Sequence, residues 1–184
     1  MALRSTVYKA ELQVSDLDRG HYATHVLTIA RHPSETEERM MVRVLAFALH
    51  ADEALTFGRG LSTEDEADLW QHDLTGALEL WIDVGLPDEK WLRKACGRAP
   101  RVVVMLYGGA KAEVWWSQNA QTLSRLDNLE VITLAPVATQ ALAGLADRSM
   151  NLTCTIQDGE VWFSSPSDSV QVVPERLKRP GRGS

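Results

Sequence analysis

The sequence predicts an α/β (α+β) protein, a central mixed β-sheet flanked by helices, folded as one domain. Three observations predict it. An alternating apolar segment opens the chain, a long helical pattern follows it, and strand and helix signals then take turns through the middle. The length of 184 residues suits one core and leaves little room for two.

The first element is a strand over Thr6–Val14, with Tyr8, Ala10, Leu12 and Val14 as its apolar phase. Turn chemistry at Ser15–Gly20 leads to a second strand from about Tyr22 to Ala30, giving an N-terminal hairpin. Ser34 with Glu37 three residues later reads as a capping box, and Glu35 adds first-turn negative charge. The helix they open runs to about His50, with Met41, Val44, Leu45, Ala48 and Leu49 as its buried stripe. Leu55–Gly58 reads as a short strand and Ser62–Glu66 as an acidic loop or helical turn.

A hairpin follows, Asp68–His72 and Ala77–Val84, turning at Asp73–Gly76. Gly85–Asp88 interrupts it, and a helix runs from about Asp88 to Arg98. Arg101–Tyr107 is a continuous apolar run, as in a strand buried on both faces. The spacing then predicts a helix over Ala112–Asp127, a strand over Leu129–Leu134 and a helix over Pro136–Arg148. Strands near Leu152–Gln157 and Glu160–Ser164 turn at Asp158-Gly159, and a brief strand lies near Val170–Val173. The domain therefore spans residues 1–174, and residues 175–184, rich in Arg, Lys, Pro and Gly, are expected to form a mobile basic tail.

Composition narrows the function classes. Apolar runs such as Val102–Tyr107 fall far short of the roughly 20 residues a bilayer requires. The N-terminus lacks the pattern of a signal peptide, which points to the cytoplasm. Cys96 and Cys154 have no paired spacing, so they predict small buried side chains and no zinc site. The net charge of -6 argues against tight nonspecific nucleic-acid binding. It leaves a local basic patch, Lys90, Arg93, Lys94, Arg98 and Arg101, whose ordinary reading is a solvated helix face. Gly108-Gly109-Ala110-Lys111 lacks the spacing of a phosphate-binding loop. His21 and His25 read as surface residues, and Trp115 and Trp116 as core.

Longer motifs are more specific. His32-Pro33-Ser34-Glu35-Thr36, Glu38-Arg39-Met40-Met41 and Leu80-Trp81-Ile82-Asp83-Val84-Gly85-Leu86-Pro87-Asp88-Glu89 stand out. With Lys94-Ala95-Cys96, Trp115-Trp116-Ser117-Gln118-Asn119 and Ile156-Gln157-Asp158-Gly159, they resemble the YaeQ family over most of the chain. That resemblance implies a variant of the PD-(D/E)XK restriction-endonuclease-like fold: a helix, a three-stranded meander, a second helix and a further strand. It also implies acids from the first helix and central strands around a divalent metal, usually magnesium, and a lysine two residues after the last acid. By that order Asp68 matches the aspartate of the first element, preceded by Ala67 instead of proline, and Asp83 matches the acid of the last.

Hairpin geometry adds to this. A turn at Asp73–Gly76 sets Asp68 opposite Trp81, with Asp68, Trp70, Glu79, Trp81 and Asp83 on one face. Leu69, Leu78, Leu80, Ile82 and Val84 share the other. Asp68 and Asp83 then become diagonal neighbours, roughly 7–8 Å apart at the backbone. The metal set is Asp68, Asp83 and Glu79, suited to Mg²⁺ or Mn²⁺, with Glu38 as the supporting acid from the helix.

The position of the expected lysine is Gly85. Lys90 and Lys94, one turn apart on the second helix, are the candidates to replace it, and Lys94 is the choice because it matches the family pattern. Two functions are expected from these residues: a Mg-dependent, phosphodiester-hydrolysing protein acting on nucleic acid, or a catalytically inactive nuclease-fold module with a binding or regulatory role.

Overall fold

The computed structural model describes residues 4–59 and 65–181. The chain opens with the long hairpin of β1 (Thr6–Asp16) and β2 (His21–Arg31), paired residue for residue without a break. Strict alternation buries Tyr8, Ala10, Leu12 and Val14 and leaves the intervening side chains outside.

α1 (Glu37–Leu49) is capped by Thr36, whose Oγ1 accepts from the Arg39 amide at 3.1 Å. The capping box expected from Ser34 and Glu37 is not formed. Ser34 bonds instead to the His32 ring at 2.6 Å, and Glu37 is already the first helical residue. The helix is buried on every side from Met40 to Ala48, not along one stripe. Tertiary position explains this, because α1 lies against β1 on one side and β4 and β5 on the other.

β3 (Leu55–Phe57), β4 (Leu69–His72) and β5 (Leu78–Val84) form an antiparallel meander. Ser62–Glu64 of the expected acidic loop lie outside the described residues. A Cβ at Gly58 would meet the Ala67 carbonyl oxygen at 2.0 Å, so only glycine lets the end of β3 lie against Ala67 and Asp68. α2 (Glu89–Arg98), capped by Asp88, crosses to β6 (Val102–Leu106), which lies parallel to β5. α3 (Ala110–Leu123), β7 (Leu129–Thr133) and α4 (Pro136–Ala143) continue the alternation. α4 is shorter than its apolar pattern suggested. β8 (Ser149–Gln157), β9 (Glu160–Ser164), β10 (Ser169–Val172) and β11 (Glu175–Lys178) finish the chain.

The sheets are two, not one. A five-stranded sheet has the order β10-β9-β8-β1-β2, and a six-stranded sheet the order β11-β7-β6-β5-β4-β3. One core fills the space between them around α1 and α4, and a second lies beneath α2 and α3 on the far face of the six-stranded sheet. The expectation of a mixed α+β fold holds, with the N-terminal hairpin joining β8–β10 in a sheet of its own. The tail expected to be mobile also differs, since β11 pairs antiparallel with β7 and covers that sheet edge. Lys178 anchors it through Nζ bonds to the Leu126 and Leu129 carbonyls at 2.7 and 2.9 Å. No helix among the described residues is long and apolar enough to cross a membrane.

Candidate functional site

The meander sets the geometry. Leu69 pairs with Ile82, Trp70 with Trp81 and Gln71 with Leu80, and a bulge then pairs His72 with Leu78. This register differs by two residues from that of a plain hairpin. An even shift keeps the faces of Trp70, Trp81 and Asp83, and brings Asp68 opposite Asp83 instead of Trp81. The Asp68 amide donates to Asp83 Oδ1 at 3.3 Å.

The bulge also removes Glu79 from the expected metal set. Leu78 turns toward Trp70 and Trp81, while Glu79 accepts from the Gln71 side chain at 3.0 Å and lines a cavity on the other face. Glu38 is absent from the pair as well: its Oε2 accepts from the Thr139 hydroxyl of α4 at 3.1 Å. Lys94 pairs with Asp65 at 2.5 Å and is not bonded to the acid pair. The Lys90 amide bonds to the Asp88 cap at 2.8 Å.

The cation at the acid pair comes from α1. Arg39 Nη2 donates to Asp68 Oδ1 at 2.8 Å, and its Nη1 donates to Glu35 Oε2 at 2.5 Å. Glu35, buried just before the helix, is gripped from the other side by both Nε and Nη2 of Arg43. Its role is that of a buried ion-pair partner, not of a first-turn dipole residue. The backbone amide of Val84 gives 2.8 Å to Asp68 Oδ2. Asp83 Oδ2 accepts from two indoles, Trp81 Nε1 and Trp91 Nε1, both at 2.9 Å.

Charge alternates along Arg43, Glu35, Arg39 and Asp68, and Asp83 adds a surplus negative charge. Burial and then the Asp68 carboxylate push the Asp83 carboxyl up to about 6, against the pull of its three donors. Burial works against the Arg39 charge, but Asp68 and Glu35 outweigh it and hold the guanidinium above its ordinary value. The pair opens into a cleft of about 410 Å³, bordered by Arg39, Trp91, Tyr107 and the Gly85–Pro87 turn.

Gly85, where the nuclease pattern would have a lysine, has a backbone reason to be glycine. Its φ is +99°, a backbone conformation that L side chains rarely adopt. The turn that ends β5, fixed by the Gly85 amide on the Met105 carbonyl at 2.9 Å, therefore selects glycine. The reading of the sequence missed Arg39, Glu35, Arg43 and Trp91. Glu35, Arg39 and Arg43 stand at successive spacings of four, a pattern that was available as a signal.

Two carboxylates with water can hold magnesium. Here all four of their oxygens already accept a hydrogen bond, one of them from the Arg39 guanidinium. Among the described residues no group of three or more His, Cys, Asp or Glu converges on one point. The residues present therefore fit a resident metal poorly.

A mixed α+β protein with an acid pair of which one member is bonded to a guanidinium of its own chain is the class these features define. The family model described as YaeQ protein matches residues 1–174, and the chain belongs to the YaeQ family. It is 44% identical to the YaeQ proteins of Salmonella typhi and Escherichia coli strain K12, over 94% of this chain and 95% of each of theirs. The crystal structure of YaeQ from Xanthomonas axonopodis pv. citri superposes with a TM-score of 0.93 at 53% identity, covering 96% of this chain and 99% of that one. That of Pseudomonas syringae gives 0.91 at 38% identity, covering 97% and 98%.

Proposed function

We propose that this chain is a binding or regulatory module built on a nuclease-like fold, with Asp68 of its acid pair compensated from within by a guanidinium of α1. The observation that carries this reading is the bond from Arg39 to Asp68, which puts an α1 guanidinium where a catalytic cation would act. The element order α1–β3–β4–β5–α2–β6 supports descent from the PD-(D/E)XK arrangement. Gly85 supports loss of turnover, because no lysine side chain stands two residues after the second acid. The partner is not a duplex held through its phosphates. Three of the five residues in the basic patch face acids or carbonyls of this chain: Arg93 with Glu89, and Lys94 and Arg98 with Asp65.

One observation favours the second reading, Mg²⁺-dependent phosphodiester hydrolysis on nucleic acid. Asp83 carries uncompensated charge beside Asp68, and such a pair attracts a cation. Melting temperature with and without Mg²⁺ or Mn²⁺ separates the two, because a ligand that binds only the native state raises it. The proposed module shows no rise beyond an ionic-strength control and no nicking of single- or double-stranded DNA or RNA. A metal-dependent rise that disappears in Asp68→Asn, together with nicking, would overturn the reading.

A further inference from the structure

A second cavity, of about 890 Å³, lies on the other side of the six-stranded sheet from the acid pair, where that sheet faces β1 and β8. This volume lies within the range of small-ligand sites. Two buried polar side chains on its wall have unspent hydrogen-bonding capacity. His50, 8% exposed at the end of α1, holds its Nδ1 3.0 Å from the Ala46 carbonyl. A carbonyl only accepts, so the proton sits on Nδ1 and leaves Nε2 a bare acceptor. Among the described residues nothing donates to that nitrogen. Burial, and then the charges of Arg101, Arg19 and Arg176, push the ring down to about 4, so it is neutral near pH 7.

Glu130, from β7, is 4% exposed. Its carboxylate has only long ionic approaches, 3.9 Å from Arg101 and 3.5 Å from Arg176, and no hydrogen bond among the described residues. Both arginines are about half exposed and have donors to spare, whereas Arg19 is tied to Asp16 at 2.8 Å. The wall thus offers two buried acceptors, His50 and Glu130, beside two half-exposed guanidinium donors, and five further carboxylates also line it. His50 Nε2 and the Glu130 carboxylate can both accept from hydroxyl groups, and planar guanidinium groups favour phosphate.

We propose that this cavity binds a small phosphorylated polyol, its hydroxyls donating to His50 Nε2 and Glu130 and its phosphate lying on Arg101 and Arg176. The site is separate from the acid pair and does not depend on the role proposed there. Ribose 5-phosphate is the probe, with ribose and inorganic phosphate as controls, followed by calorimetry and by the ¹⁵N resonance of His50 Nε2. The expected result is heat of binding with a shift of that resonance, and affinity weakened roughly tenfold or more in Arg101→Gln/Arg176→Gln, as for a lost charged hydrogen bond. Three results would overturn the proposal: no heat and no His50 shift at millimolar probe, unchanged affinity in a double variant with native circular dichroism, or inorganic phosphate binding as tightly as the sugar phosphate. The resonance is read on the unmodified chain, so the test survives a variant that fails to fold.

Discussion

Arg39 and Asp68, 29 residues apart in sequence, are joined by a 2.8 Å hydrogen bond that ties the central helix to the start of β4, the middle strand of the meander. Both side chains are largely enclosed, at 16% and 14% exposure, so each depends on the other for charge compensation. Arg39→Ala is expected to lower stability by about 2–4 kcal/mol in urea unfolding, as for a buried pair with one partner removed. It also frees Asp68 and Glu35 to seek another cation, so this variant should gain a Mg²⁺-dependent rise in melting temperature that the parent lacks. A parent-like response to Mg²⁺ would show that the guanidinium does not stand in for the metal.

Asp83 and His50 titrate in opposite senses across one pH window. Asp83 is raised from 3.8 to about 6, so the folded chain keeps a proton that the unfolded chain releases, and stability falls as pH rises through that range. His50 is lowered from 6.5 to about 4, so the unfolded chain takes a proton the folded chain refuses, and stability falls as pH drops from 6.5. Each effect is on the order of 3 kcal/mol across the full window, and in the parent they offset one another. Asp83→Asn should therefore steepen the loss of stability between pH 6 and pH 4, and His50→Gln should reduce it, relative to the parent. Denaturant midpoints measured against pH decide this, and parallel profiles for all three proteins would refute it.

Trp91→Phe removes one of the two indole donors from Asp83 Oδ2. The carboxylate then loses support in its charged form, which costs about 1–2 kcal/mol at pH 7 and less at pH 5. Equal losses at the two pH values would mean that Trp91 acts through packing alone.

Gly85→Lys puts a lysine where the nuclease pattern has one, but in a left-handed backbone. It should destabilise by about 1–2 kcal/mol and confer no nicking activity. Lys94→Ala, by contrast, should leave the melting temperature and every response to Mg²⁺ unchanged, because its ammonium faces Asp65 at the surface.

Truncation before Glu175 uncovers β7. The shortened chain should melt lower and self-associate at concentrations where the parent is well dispersed, which light scattering reads directly. Unaltered melting would make β11 an ornament of the fold.

Much of the architecture was visible in the sequence because burial has a period. β1, with its alternate apolar residues, and β6, apolar throughout, follow from patterning alone, and the two patterns reflect one exposed face against none. Asp68 and Asp83 were brought together for the same reason, since the period of two survived a register error of two residues. Glu79 was misplaced because a bulge breaks that period and leaves no mark in the residues around it. Glu38 and Lys94 were misplaced for a different reason. Helical spacing gives the face of a side chain relative to its own helix, and cannot say whether α4 or Asp65 will meet it first. Arg39 went unread because its partner lies on another element, where no local pattern points.

β1 lies parallel to β8, with Leu12 beside Leu152, while its other edge is taken by β2. During synthesis the first hairpin therefore emerges long before the strand that completes its sheet, and one edge waits unpaired, its amides and carbonyls open to another chain. A ribosome adding roughly 5–20 residues each second holds the nascent chain in that state for several seconds. This protein should consequently depend on chaperone protection early in translation, and ribosome-bound fragments ending before Ser149 should be the most prone to clump.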